Sequence, residues 1–360
     1  MHPSRHFSAG RALLSLELMN TKLDALGLSS PILAAPMAGG ATTPRLVIAA
    51  AAAGGAGLLA GGYRTPEALA RQIAEVRAAS VPFGVNLFAP NPVPIDPAMY
   101  AAYARRLQPE ADRYDLDLAG IPRTEDDDGW RDKIDLLLDA PVPVVTFTFG
   151  LPDPAVAEAL RAAGTLVGQT VTSPDEARRA ANADFLVVQS SAAGGHSGTL
   201  TPGWTPADIP LGELVHAVAR VSGLPLVAAG GIATADAVAD ALRAGAVAAM
   251  VGTVLLRSDE SGASKTHQAA LADPPGDRRT VVTRAFTGRP ARALANAFTR
   301  RYDRLAPAGY PALHHLTGPL RKAAAAAGDA DRLHLWAGTG FRHASAEPAA
   351  DILGRLVTNL

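Results

Sequence analysis

The stretch PLVAAGGIATADAVADALRAGAVAAMVGT, residues 225–253, carries the pattern that decides the fold. An apolar run, Pro225–Ala229, meets a double glycine, Gly230-Gly231. Thr234 then opens an alanine-rich helical segment, and a second apolar run, Ala246–Val251, ends in Gly252-Thr253. Both runs are apolar throughout instead of alternating, as parallel strands are when helices cover both faces of their sheet. Strand, helix and strand in that order form one crossover unit.

The same unit recurs on the N-terminal side. Apolar runs predict strands at Pro31–Met37, Gly57–Ala60, Phe83–Phe88, Val142–Phe149, Thr165–Val171 and Phe185–Gln189. Helices between them open on Thr43-Pro44, Thr65-Pro66, Asp153-Pro154 and Ser173-Pro174, each a capping side chain followed by proline at the first helical position. Glu67, Asp175 and Glu176 fall in first turns, where the helix dipole favours anions. Eight strands with intervening helices predict an α/β fold, a closed (β/α)8 TIM barrel; a doubly wound open sheet is the alternative topology. The barrel is expected over residues 22–258, after an N-terminal extension at 1–21 in which Met19 is an alternative start. Residues 90–130, with Pro90, Pro92, Pro94 and Pro97, read as an insertion after strand three that overhangs the active site. Residues 259–360 read as a mostly helical C-terminal segment that packs on the barrel and covers the active site.

Composition narrows the class. Of 360 residues, 48% are hydrophobic and only 5% aromatic, which suits close helix-on-strand packing. The formal net charge is −1, with no long basic run, so neither nucleic acid nor an anionic membrane is an expected partner. No stretch reaches the roughly 20 apolar residues of a membrane span, and the N-terminus lacks a signal-peptide pattern. The absence of cysteine removes disulfides, thiolate catalysis and cysteine-ligated metals, and fits a cytoplasmic location. Nothing in the sequence encodes the oligomeric state, and a homodimer stays open.

In such a barrel, ligands bind at the carboxyl ends of the strands, and phosphate often binds after strands seven and eight. Gly230-Gly231 and Gly252-Thr253 stand there, exposing backbone N–H groups at helix starts that can hold a phosphate without a lysine. Asn86 and Gln189 lie at the carboxyl-terminal parts of strands three and six; each primary amide can match the mixed donor–acceptor edge of a heterocycle. Together with the phosphate site they point to a mononucleotide across the barrel mouth. His196, in Ser190-Ser-Ala-Ala-Gly-Gly-His-Ser-Gly198, brings the one group beside this site that titrates near neutral pH. Dinucleotide, Walker and G-x-S-x-G signatures are absent, and no histidine–carboxylate cluster has metal spacing. His314-His315 are adjacent and on regular structure point apart; no metal site is expected.

Taken together, Ala-Pro-Met-Ala-Gly-Gly at 35–40, Asn86, Gln189, Ala193-Gly-Gly-His196, Ala229-Gly-Gly-Ile232, Gly252-Thr253, Thr283-Arg-Ala-Phe-Thr-Gly-Arg-Pro-Ala-Arg292 and Leu335-Trp-Ala-Gly338 resemble the nitronate monooxygenase (2-nitropropane dioxygenase) family. The resemblance implies an FMN-bound TIM barrel that oxidises alkyl nitronates, with nitroalkanes as further candidates, using O2 to give carbonyl compound and nitrite. It implies His196 as the catalytic base. Flavin contacts are implied for Ala35, Pro36, Met37, Asn86, Gln189, Gly194, Gly195, Gly230, Gly231, Met250, Val251, Gly252 and Thr253. Four positions depart from the family's habit: Ala192 replaces a glutamate, Ser197 an arginine, Thr148 a histidine and Met250 a glutamine. The alternatives are an FMN-dependent enoyl-thioester reductase using NAD(P)H, a flavin-free phosphosugar lyase or isomerase, and a flavin-binding protein without nitronate activity.

Overall fold

A computed structural model describes residues 28–273, 278–358 and 360. The expected extension at 1–21, with His2 and His6, lies outside the described residues. Eight parallel strands close into a barrel in chain order: β1 (Ile32–Ala34), β2 (Ala56–Ala60), β3 (Phe83–Phe88), β4 (Val144–Thr148), β5 (Leu166–Val171), β6 (Phe185–Gln189), β8 (Leu226–Ala229) and β9 (Ala248–Val251), with β9 returning to β1. The open sheet is therefore excluded. All eight expected runs are strands, several shorter than their apolar stretch. The difference is largest at the first run, where pairing ends at Ala34 and Ala35–Met37 turn into the mouth. The expected caps form: Thr43, Thr65, Asp153 and Ser173 each accept a first-turn backbone N–H.

Strand periodicity sets which side chains enter the barrel. Val85 and Leu87 of β3 pack outward among helix residues, so Asn86 between them faces the axis. On β6, Leu186 and Val188 face the helices, whereas Phe185 and Val187 fill the interior with Leu33, Leu58 and Val144. Gln189 shares the parity of Phe185 and Val187 and reaches the mouth. By the same rule Met250 of β9 points inward.

Outside the barrel lies a second core that the strand pattern does not announce. Tyr100, Tyr103 and Leu107, on the insertion helix Pro97–Ala111, pack against Phe286, Phe298, Tyr302 and Leu316 of the C-terminal segment. The Tyr103 hydroxyl donates to the Ala285 carbonyl at 2.6 Å. Glu110, 3% exposed, accepts from Arg301, Arg332 and Tyr302 at 2.9–3.1 Å. The C-terminal segment also adds a hairpin to its helices: β10 (Thr280–Thr283) pairs with β11 (Ala291–Leu294), and β11 pairs with β7 (Gly195–His196). Among the described residues no helix is long and apolar enough to cross a membrane.

Candidate active site

A cavity of about 540 Å3 opens at the carboxyl ends of the strands. Its wall contains His196 and every residue expected to touch a flavin: Ala35, Pro36, Met37, Asn86, Gln189, Gly194, Gly195, Gly230, Gly231, Met250, Val251, Gly252 and Thr253. These residues come from separate parts of the chain and meet because each stands at or just beyond a strand end.

Their polar groups are not equally free. The Asn86 amide nitrogen donates to the Thr146 hydroxyl at 2.9 Å and the Thr148 hydroxyl at 3.0 Å. Its side-chain oxygen is the acceptor left over. Thr148, which replaces the family's histidine, thus orients this amide. Gln189 spends much of its amide on the histidine loop: its oxygen accepts from the Gly198 N–H at 2.7 Å, and its nitrogen reaches the His196 carbonyl at 3.4 Å. Gly230 and Gly231 adopt φ of 104° and 77°, a left-handed pair that L side chains resist, and both line the cavity. Beyond them, Thr234 caps the helix Ala235–Arg243.

His196 is fixed from two sides. Backbone pairing sets Ala291 opposite His196 and Arg292 opposite Gly195, while the Ser197 N–H donates to the Pro290 carbonyl at 2.9 Å. The ring meets Thr287 Oγ1 through Nε2 at 2.9 Å, and Phe149, Tyr310 and Trp336 surround it at centroid distances of 5.4–5.7 Å. Burial, reinforced by the positive charges of Arg289 and Arg321, pushes its pKa down to about 3. The ring is therefore neutral at physiological pH.

Arg289 is fully buried, with its guanidinium carbon 3.9 Å from the centroid of the Phe149 ring. Arg321 donates to the Thr317 hydroxyl and the His314 carbonyl. Among the described residues neither guanidinium has a carboxylate within ion-pair distance. Burial lowers both to about 10, so both stay charged near neutral pH. An anion entering the cavity therefore meets Arg321 in its wall, while Arg289, buried outside the lining, adds positive potential near His196.

The C-terminal segment supplies one wall of the cavity: His267, His314, Arg321, Lys322, His334 and Trp336 all line it. Sequence reading found none of these by chemistry, since each sits in a helix or loop with no motif around it; Trp336 entered only through the resemblance. The insertion, expected to overhang the site, contributes no residue to this cavity. It lines a neighbouring chamber of about 560 Å3 with Asn91, Pro92 and Glu125–Gly129. That chamber shares Tyr63, Phe88, Phe149 and His314 with the cavity, while the insertion helix itself packs into the second core. His314 and His315 do not point apart: their rings meet edge-on with centroids 5.4 Å apart, while His314 also stacks on Tyr63 at 3.9 Å and His315 meets Asp126 at 2.9 Å.

Residues 336–340 lock onto the histidine loop. The Thr339 N–H donates to the Ala192 carbonyl at 3.0 Å and the Gly338 N–H to the Thr253 hydroxyl at 2.9 Å. A Cβ at Gly194 would stand 2.5 Å from Gly338 N and 2.7 Å from the Ala337 carbonyl carbon. Backbone cannot yield there, so Gly194→Ala should destabilise by about 1–3 kcal/mol. Gly223→Ala, which meets nothing within 4 Å, is the control in the same thermal melts.

Comparison with known proteins agrees with this architecture. The family model for nitronate monooxygenase matches residues 20–359. A probable nitronate monooxygenase of Staphylococcus saprophyticus is 35% identical over 325 residues, covering 88% of this chain and 90% of that protein. Its Staphylococcus aureus counterpart is 33% identical over 342 residues, covering 93% and 95%. Among solved structures, the nitroalkane oxidase of Streptomyces ansochromogenes superposes with a TM-score of 0.89 at 46% identity, covering 94% of this chain and 97% of that one. FabK from Thermotoga maritima superposes at 0.71 with 27% identity, covering 94% of each chain. On sequence, fold and the residues gathered at the barrel mouth, the chain belongs to the nitronate monooxygenase family.

Proposed function

We propose that this oxidoreductase binds FMN in the barrel-mouth cavity and oxidises alkyl nitronates, and nitroalkanes after deprotonation, with O2 to carbonyl compound and nitrite. The observation that carries this reading is the convergence of the expected flavin-contact residues and His196 on one cavity wall. The residues present suit the flavin. The Gly230-Gly231 pair and the Gly252-Thr253 turn offer backbone donors for the phosphate. Asn86 offers a side-chain oxygen to a ring N–H, and the small residues Ala35 and Gly195 let a flat ring approach backbone. Held by these residues, FMN would supply the redox centre between nitronate and O2.

The chain's own groups do the rest. His196, held neutral, is available to take the proton alpha to a nitro group. Arg289 and Arg321 place positive potential at the cavity, which favours the anionic nitronate over the neutral nitroalkane in binding. Phe149, Tyr310 and Trp336 pack around the imidazole, and Phe149 and Trp336, which line the cavity, provide apolar surface for the alkyl group.

An absorption spectrum followed by anaerobic titration tests the proposal. A yellow protein bleached by ethyl nitronate, with slow or no bleaching by NAD(P)H, is the expected result. Rapid reduction by NAD(P)H alone would instead support the enoyl-thioester reductase. A colourless protein that takes up no FMN would remove the flavin reading.

A further inference from the structure

Thr287 lies in the turn between β10 and β11 and is 1% exposed. Its hydroxyl stands 2.9 Å from His196 Nε2 and 3.3 Å from the Arg289 carbonyl oxygen. The turn is rigid. Thr287 N–H and Gly288 N–H both donate to the Arg284 carbonyl, at 3.2 and 2.8 Å, and the neighbouring Phe286 carbonyl accepts from the Thr317 hydroxyl. The hydroxyl is therefore delivered to the imidazole from a fixed backbone.

A hydroxyl has one proton and two lone pairs. If that proton goes to the Arg289 carbonyl, Oγ1 can only accept from His196, and Nε2 must carry the ring hydrogen. The other nitrogen, Nδ1, has no hydrogen-bond partner among the described residues, while the ring lines the cavity. We propose that Thr287 is a positioning residue: by accepting from Nε2–H and donating to the Arg289 carbonyl, it selects the tautomer whose Nδ1 lone pair faces the substrate.

The relay has a consequence for proton transfer. A proton taken from the substrate carbon ends on Nδ1 with no rearrangement at Nε2, because the Nε2–H bond to Thr287 persists and strengthens as the ring becomes cationic. Without the hydroxyl, the neutral ring is free to place its hydrogen on Nδ1, where it blocks the base. The inference rests on His196 acting as the base, and its test separates the two ideas.

Two variants and one spectrum decide it. Thr287→Val keeps the shape and removes the hydroxyl; Thr287→Ser restores it. In wild-type protein, 15N spectra of labelled histidine should show His196 with a protonated Nε2 and an unprotonated Nδ1. The valine variant should show mixed tautomers and a kcat/KM for neutral nitroethane lowered about 10-fold or more, with serine recovering most of the loss. Preformed ethyl nitronate, which needs no proton removed, should be turned over within about threefold of wild type by both variants. A wild-type ring protonated on Nδ1, or a valine variant with unchanged tautomer and unchanged nitroethane turnover, overturns the role of Thr287. If His196→Asn itself leaves nitroethane turnover intact, the base reading fails first. Serine keeps the test open should valine fold poorly, since its hydroxyl must then give the wild-type tautomer and rate.

Discussion

Replacing His196 with asparagine should leave FMN bound and yet reduce turnover of neutral nitroalkanes about 10²–10⁴-fold. Asparagine retains a polar side chain near Thr287 but cannot take up a proton. The expected size follows from what the site lacks as well as from what it holds. The imidazolium formed by proton abstraction has two guanidinium groups in its field and, among the described residues, no carboxylate bonded to it. Its counter-charge is the nitronate produced beside it. The free ring, held near 3 by burial first and by Arg289 and Arg321 next, is a weak base until that anion forms. Preformed nitronate should therefore be the faster substrate of the wild-type protein and the less affected one in the variant. Stopped-flow reduction with nitroethane and with ethyl nitronate, measured on wild type and His196→Asn, gives both comparisons. Equal rates for nitroethane in the two proteins would remove the histidine from the chemistry.

A second large effect concerns stability in acid. Four histidines line the cavity, and burial holds all of them low: His196 at about 3, His267 at about 4, and His314 and His334 well below the usual value. An unfolded chain protonates these rings at about 6.5, before the native protein does. Unfolding is then coupled to proton uptake, so stability is intact above about pH 6.5 and falls as the pH drops toward the folded values. Each ring costs up to about 1.4 kcal/mol per pH unit in that window. His196 and His267 together then account for a loss of up to about 3 kcal/mol by pH 5.5, lowered by cavity water, and His314 and His334 act in the same direction. Urea unfolding at pH 7.5 and pH 5.5 should show the midpoint falling steeply. Equal midpoints at the two pH values would mean that the rings titrate normally in the native state.

Much of this protein is written in local sequence. The eight strands follow from apolar runs set between capped, alanine-rich helices, and the inward direction of Asn86, Gln189 and Met250 follows from strand parity. Gly230-Gly231 and Gly252-Thr253 mark the ends of β8 and β9. These signals are legible because backbone conformation and side-chain alternation depend on neighbours a few residues away. The family resemblance added the flavin and the base on those same residues. The insertion was legible as an insertion, but its destination was not. Whether a proline-rich helix caps a barrel or leans on the C-terminal segment depends on which apolar faces remain uncovered elsewhere.

What the sequence by itself determined is eight strand–helix units and a set of small and amide-bearing residues at their strand ends around one histidine; the pairing of β9 with β1 closed them into a barrel. Only the tertiary structure decided the state of that histidine. Thr287 lies 91 residues from His196 in the chain and reaches it because β11 pairs with β7. Arg321, His267, His314 and His334 line the cavity from helices and turns that carry no motif, and the buried Arg289 acts on His196 from the turn before β11. Burial and charge act through space and not along the chain, so the tautomer, the neutral ring and the cationic field exist only once these distant segments are packed together.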